Sequence, residues 1–424
     1  MVGTKIYANV GASNNSDFIE AAREASRQSL EGLKDPKVVI VFSTIHYEKN
    51  LKEMLVEIKK IIGAPIVGAT GAAILTPKRI YSRGIGILCI SGDLDVGVGV
   101  GKNSRTDSVN AGKQAVKMAL ENLGDSSYKN KYGIAFPSGM KFPDIPGMKS
   151  MMKMGISKAM FPMLSNFMAM KGTGPARYEE VLSGMVEASE GKIPIFGGGA
   201  FDDFKGIKNF QFLNEEVHHD SVVFLLISSN AKTKTAYKHG LKPTGKKMKI
   251  TKARGNFAFQ INGKPAWQAL KEIYSIAPEL ENKWKSNPVL MTIYNIPAEK
   301  DADGNYWLVT PLCVIGDAIL FARNVEEKTL YLCQGKGEEI LKAAKDVAIE
   351  ATKELNPFFS LVFSPVPRVM AMTEKIDVER QYIKEVLVDT PFLGLYCCAS
   401  ETFLPEKAFL KCLNETICLC SFGQ

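Results

Sequence analysis

The residues best placed for chemistry fall in two stretches that share a pattern. Ile193 to Asp203, IPIFGGGAFDD, reads as a short apolar strand that stops at Gly197, Gly198 and Gly199 and runs on into Asp202 and Asp203. Three residues without Cβ let another group approach the main chain closely, and the acidic pair adds acceptors beside that opening. Such a stretch suits the floor of a ligand pocket; taken alone, a tight strand-to-turn corner between two sheets is the plainer reading. Pro65 to Ile74, PIVGATGAAI, repeats the pattern with Gly68 and Gly71 around Thr70, which shifts the weight toward a pocket. A third candidate set comes from the unit Lys37 to Ala69. A strand over Lys37–Thr44 is followed by a helix from about Lys49 to Ile62, with Leu51, Leu55, Ile58 and Ile62 at helical spacing, and by a strand over Ile66–Ala69. Parallel strands of a βαβ unit end on one edge of the sheet, where ligands tend to bind, so Thr44, His46 and Thr70 become neighbours there.

Metal and redox chemistry find less support. The eight cysteines show no CxxC and no zinc spacing, so reduced thiols are expected. If KAFLKCLNETICLCSF is one strand, Cys412, Cys418 and Cys420 share a face. A metal site from these three thiols, or with His46, is the alternative to a bland role as small buried apolar residues. His218 and His219 are adjacent, so on a strand their rings diverge and chelate poorly. No nucleophile elbow, HExxH or Walker pattern occurs. The expectation is therefore a binding protein, with an enzyme of unfamiliar mechanism as the remaining alternative.

The elements that must position these residues follow from length and pattern. At 424 residues, with 46% apolar and 23% charged residues, the chain is expected to form two domains, over 1–235 and 236–424. Strands and helices do not alternate as a pure βαβ series. The fold class expected is α+β (mixed α/β), with mixed, largely antiparallel sheets flanked by helices. Nine of the seventeen methionines lie between Met140 and Met170, read as a methionine-rich insertion over 140–178. Further on, Asn287–Ile296 reads as a strand, Gly335–Gly337 opens a helix over Glu338–Leu355, Thr373–Leu387 reads as a helix and Lys407–Phe422 as a closing strand. The net charge of +8 is read as scattered lysines serving solubility, with non-specific polyanion binding as the alternative. No specific nucleic-acid partner, no membrane span and no signal peptide are expected, so the location expected is cytoplasmic.

The order of VVIVFST, PIVGATGAAI, GIGILCISGD, PIFGGGAFDD and HDSVVFLLIS, followed by TKARGNFAFQINGKPAWQAL, NPVLMTIY, FSLVFSPVPRV, Glu379 and PFLGLYCC, resembles the FIST family of sensory domains, in both its N-terminal and C-terminal halves. The resemblance implies an intracellular sensor for a small ligand, proposed to include amino acids, that signals through a separate partner protein. Haem is the cofactor alternative, because some relatives look like haem-binding nitric oxide sensors; a homo-oligomer is compatible with either reading. On this resemblance Arg368, Glu379 and Tyr396 join the ligand-binding set. An arginine with a carboxylate suits a zwitterion, and an internal ion pair is the equal alternative. The chain departs from the pattern where Pro365 and Pro367 precede Arg368, and where Ala399, Ser400 and Glu401 displace the usual acidic residue.

Overall fold

The computed structural model describes residues 4–141, 174, 176–286, 290–291, 295–407 and 409–424. The chain is built from three units of one plan. The first comprises β1 (Ile6–Ser13), α1 (Phe18–Leu30), β2 (Pro36–Thr44), α2 (Leu51–Ile62), β3 (Ile66–Gly71), a short hairpin of β4 (Ala73–Leu75) and β5 (Ile80–Tyr81), and β6 (Ile85–Gly92). The second comprises β7 (Leu94–Lys102), α3 (Ser108–Leu123), β8 (Asn130–Pro137), α4 (Tyr178–Ala188), β9 (Ile195–Gly198), the hairpin β10 (Gln211–Leu213) and β11 (Glu216–His218), and β12 (Ser221–Ser229). The third opens with β13 (Lys232–Lys238). A subdomain then intervenes: β14 (Lys242–Arg254), β15 (Phe257–Ile261), β16 (Lys264–Pro265), α5 (Ala266–Tyr274), β17 (Ile296–Lys300), β18 (Tyr306–Leu308), β19 (Pro311–Ile315), β20 (Ala318–Phe321) and β21 (Thr329–Gln334). The third unit resumes with α6 (Gly337–Thr352), β22 (Pro357–Pro365), α7 (Val366–Met372), α8 (Ile376–Leu387), β23 (Phe392–Cys397), the hairpin β24 (Ser400–Leu404) and β25 (Phe409–Leu413), and β26 (Ile417–Gly423).

Each unit makes a six-stranded sheet, and the three sheets have the same order: β1-β6-β2-β3-β10-β11, β7-β12-β8-β9-β24-β25 and β13-β26-β22-β23-β4-β5. In each, the third and fourth strands are parallel and every other pair is antiparallel. No unit keeps its own hairpin. The first lends β4-β5 to the third, the second lends β10-β11 to the first, and the third lends β24-β25 to the second, so the exchange closes on itself. The division expected near residue 235 falls at the start of the third unit, and all three sheets carry strands from more than one unit. With helices packed outside these mixed sheets, the fold is α+β.

The side chains explain the layering. Along β2, Val38, Ile40 and Phe42 enter a central core while Val39 and Val41 face α1 and α2; β8 and β22 divide their residues in the same way. These strands are buried on both faces and therefore read as unbroken apolar runs. At the centre Phe42, Phe136 and Phe363, from equivalent strands, form a triangle with ring centroids 5.8, 6.1 and 6.3 Å apart. Just beyond it lies a ring of three backbone hydrogen bonds at equivalent positions. The N–H groups of Ala72, Phe201 and Cys398 donate to the carbonyls of Tyr396, Thr70 and Gly199, each at 2.9 Å. In each unit a Pro-x-x-Gly motif precedes these positions, as Pro65-x-x-Gly68, Pro194-x-x-Gly197 and Pro391-x-x-Gly394. A Cβ on Gly68 or Gly197 would sit 1.8 or 2.0 Å from the carbonyl oxygen of Val41 or Ala135.

Several expectations need correction. Lys407–Phe422 is two strands, β25 and β26, separated by a turn at Asn414–Thr416 and placed in different sheets. Cys412 therefore packs with Tyr178 and Ala399, whereas Cys418 and Cys420 enter the central core. Leu290 and Met291 are helical, so Asn287–Ile296 is not one strand. The helix expected over Thr373–Leu387 is present as a 3-10 turn at Thr373–Lys375 followed by α8; the separate helix before it, α7, was not expected and carries Pro367 in its first turn, where no N–H partner is needed. Of the methionine-rich insertion expected over 140–178, residues 142–173 and 175 lie outside the described residues.

Candidate functional site

The carboxyl ends of the three parallel strand pairs carry the polar residues. In the first unit, the Thr44 hydroxyl accepts from Gly84 N at 3.0 Å and lies 3.3 Å from His46 Nδ1. His46 sits at the surface in the turn after β2; its basicity is lowered by partial desolvation and by Arg83, against the opposing pull of Asp203. The Thr70 hydroxyl accepts the Phe210 N–H at 3.0 Å. Thr44, His46 and Thr70 thus share one strand edge, as the parallel register of Thr44 with Gly71 requires.

The glycines bring protein against protein. A Cβ at Gly71 would meet the Leu395 side chain at 2.3 Å, at Gly198 the Phe363 ring at 2.5 Å, and at Gly199 the Tyr178 hydroxyl at 1.9 Å. Asp202 is buried, and its two oxygens accept four successive backbone N–H groups, from Lys205, Gly206, Ile207 and Lys208, at 2.7 to 3.1 Å. Its charge is absorbed in holding that loop. Asp203 pairs with Lys205 at 2.8 Å near the surface.

In the second unit the equivalent end is a buried polar network that sequence reading missed. Arg105 donates to Asp220 at 2.7 Å and to Ser138 at 3.1 Å, as well as to the Gly139 carbonyl, and Ser138 donates to Asn209 at 2.7 Å. The four residues come from four separate loops or strand ends, so no local motif marks them.

The third unit brings Arg368, Glu379 and Tyr396 together. Arg368 on α7 is 2% exposed and donates to Glu379 Oε2 on α8 at 2.6 Å, to the Ile340 carbonyl at 3.0 Å and to Ser364 Oγ at 3.3 Å. Glu379 and Tyr396 are fully buried. Burial, and after it the Glu379 carboxylate, pushes the Tyr396 phenol well up, so it stays protonated. Glu379 Oε1 and Tyr396 Oη make no hydrogen bond of regular geometry among the described residues, although the phenol lies within reach of the Glu379 carboxylate. Close by, burial lowers His239 to about 4, leaving its ring neutral; Nδ1 accepts from Leu241 N at 2.9 Å and Nε2 lies 3.0 Å from the Tyr306 carbonyl. Two more carboxyls are buried, of which Glu415 was not singled out in the sequence. Glu415, which accepts from Thr310 at 2.7 Å, and Glu401, which has no partner at either oxygen among the described residues, are both pushed up to about 8 by burial.

The residues offered for haem or a metal ion do not fit that role. His46 is exposed and bonded to Thr44, Cys418 and Cys420 point into the aromatic core, and Cys412 belongs to another sheet. Among the described residues no three His, Cys, Asp or Glu side chains are grouped as a metal ion requires.

The chain matches the FIST N domain over residues 37–264 and the FIST C domain over residues 266–399. The two matches meet inside the subdomain between β13 and α6. Over 83 residues the chain is 40% identical to an uncharacterized protein of Methanocaldococcus jannaschii, a stretch that covers 20% of this chain and 16% of that protein. The chain therefore spans about a sixth of the length of this curated relative. The structure of PurLQS from Thermotoga maritima aligns with 99% of this chain and 72% of its own at a TM-score of 0.22 and 9% identity, too slight a likeness to bear on the fold.

Proposed function

Because the chain belongs to the FIST family, whose domains are associated with sensory and signal-transduction roles and with small-ligand binding, we propose that it is a small-molecule sensor whose ligand is a zwitterion such as an amino acid. The observation that carries this reading is the buried Arg368–Glu379 pair, in which Glu379 Oε1 has no hydrogen bond among the described residues, with the Tyr396 hydroxyl beside it. A buried acceptor without a donor carries most of its desolvation cost, about 1–3 kcal/mol. A ligand ammonium offers Glu379 Oε1 a charged donor, while a ligand carboxylate would take over guanidinium N–H groups that Arg368 now gives to Ser364 and, at 3.5 Å, to the His239 carbonyl. Tyr396 Oη supplies a third polar contact. Thr44, His46 and Thr70 on the strand edge of the first unit, with Asp203 of the second unit near His46, are the second place to seek contacts. Output passes to a separate signalling protein, and no helix among the described residues is long and apolar enough to cross a membrane.

The test is thermal unfolding across a panel of the twenty amino acids at millimolar concentration. At least one is expected to raise the midpoint of the wild-type protein. Tyr396→Phe removes at most a weak contact to Glu379, so the ligand-free stability is expected to stay within about 1 kcal/mol of wild type, with ligand affinity reduced about tenfold. Glu379→Gln should abolish the response. If no amino acid shifts the wild-type midpoint, or if Tyr396→Phe responds as wild type does, the zwitterion reading is wrong.

A further inference from the structure

The subdomain carries a surface that the small-molecule reading does not use. Between Asp220 and Glu272 the chain holds ten lysines and one arginine and no acidic residue, a positive charge larger than the net +8 of the whole chain. Much of it falls on β14, where Lys246, Lys247, Lys249 and Lys252 are exposed and make no ion pair among the described residues. The strand alternates: Met248 and Ile250 enter the subdomain core, so Lys247 and Lys249 face outward.

Pairing then brings aromatic rings between the lysines. In the sheet β18-β17-β21-β14, Lys247 lies opposite Tyr331 and Lys249 opposite Thr329, while Lys300 lies opposite Tyr306. The Tyr306 and Tyr331 rings meet edge to face at 5.7 Å. Lys247 Nζ stands 5.1 Å over the Tyr331 ring and Lys300 Nζ 5.7 Å over the Tyr306 ring. Both tyrosines are partly exposed. The carboxylates around this face are engaged elsewhere. Glu339 takes Lys242, Glu299 takes Lys328 and Arg323, and Asp301 holds the turn at Asn305 and the Trp307 indole.

We propose that this sheet face binds single-stranded nucleic acid without sequence preference. Phosphates meet the unpaired lysines, and unstacked bases lie on the two tyrosines, as on other strand-based stacking platforms. For a base to stack, Lys247 and Lys300 leave the rings for phosphates, which exchanges a weak cation–π contact for a charge-assisted one. A membrane fits less well. The exposed large apolar side chains among the described residues, such as Phe204, Ile349 and Val388, lie outside this sheet, and nothing on the face reaches into acyl chains. An acidic protein segment would use the lysines and leave the rings unexplained.

Fluorescence anisotropy with a labelled twenty-nucleotide oligo(dT), at 50 to 200 mM KCl, tests the proposal. Binding is expected, falling steeply with salt, and Lys247→Glu with Lys249→Glu should abolish it. Tyr331→Leu and Tyr306→Leu keep apolar bulk and remove the stacking face. Each should weaken binding by about fivefold or more at constant salt slope, with the thermal midpoint unchanged. The proposal is overturned if heparin or duplex DNA binds as tightly as the single strand, if the two tyrosine variants bind as wild type does, or if phosphatidylserine vesicles bind and the oligonucleotide does not. The amino-acid response of the preceding section is expected to be the same in all these variants.

Discussion

Glu401 shows most directly how burial alone sets chemistry in this protein. It lies on β24 between Gly197 and Cys412 in register, with no described hydrogen-bond partner, and desolvation pushes it up to about 8. Between an ordinary carboxyl value near 4.5 and about 8, the folded protein keeps a proton that the unfolded chain has released. Stability from this group is therefore full at lower pH and is lost as pH rises through that window. Glu415 acts in the same direction. His239 acts in the opposite one: lowered to about 4 by burial, it is neutral when folded, so its contribution is lost as pH falls from about 6.5 toward 4. Glu401→Gln removes one alkaline liability. Its thermal midpoint at pH 8.5 should lie about 2 °C or more above wild type, with the difference shrinking by pH 6. Equal midpoints at both pH values would show that Glu401 is solvated or paired in solution.

Among the elements, β9 bears the tightest constraints. It is parallel to β8 and antiparallel to the borrowed β24; its Gly197 and Gly198 face Ala135 and Phe363, and Gly199 just beyond it faces Tyr178. Gly198→Val would push methyl groups into the Phe363 ring and Cys397 at the centre of the molecule. Overpacking of this kind costs about 1–3 kcal/mol where neighbours can move; here the neighbour belongs to the aromatic triangle. Gly198→Val is thus expected to lower the urea midpoint without changing the slope, whether or not a ligand is present. A variant of wild-type stability that had lost only its ligand response would instead make this turn part of a pocket.

The cyclic exchange of hairpins governs the molecule as a whole. Removing residues 400–424 deletes β24, β25 and β26, which strips two strands from the second sheet and one from the third. It exposes the edge of β9 and the facing edges of β13 and β22, between which β26 lies, the unpaired edges that drive aggregation. The truncated chain should be insoluble, or without a cooperative thermal transition, although it keeps every residue matched by the FIST C domain. A soluble chain with one sharp transition would show that the units fold without their borrowed strands.

Much of the local structure was legible in sequence. The apolar runs KVVIVFST, GILCIS and SVVFLLIS are strands because they are buried on both faces, and Leu51, Leu55, Ile58 and Ile62 mark the buried side of α2. The Pro-x-x-Gly motif was visible at Pro65 and Pro194; its third copy at Pro391 completes the repeat and would have announced three units. Tertiary structure alone decided which hairpin joins which sheet, because that choice is made by backbone hydrogen bonds between residues more than a hundred positions apart and leaves no side-chain pattern. It also decided that Glu401 is buried without a partner, that Arg105 meets Ser138, and that Tyr306 and Tyr331 stand among the lysines of β14. In sequence those tyrosines are about sixty and eighty residues away from Lys247. Only strand pairing places them on one face, since alternation fixes which side of its own strand a residue occupies and not which strand lies beside it.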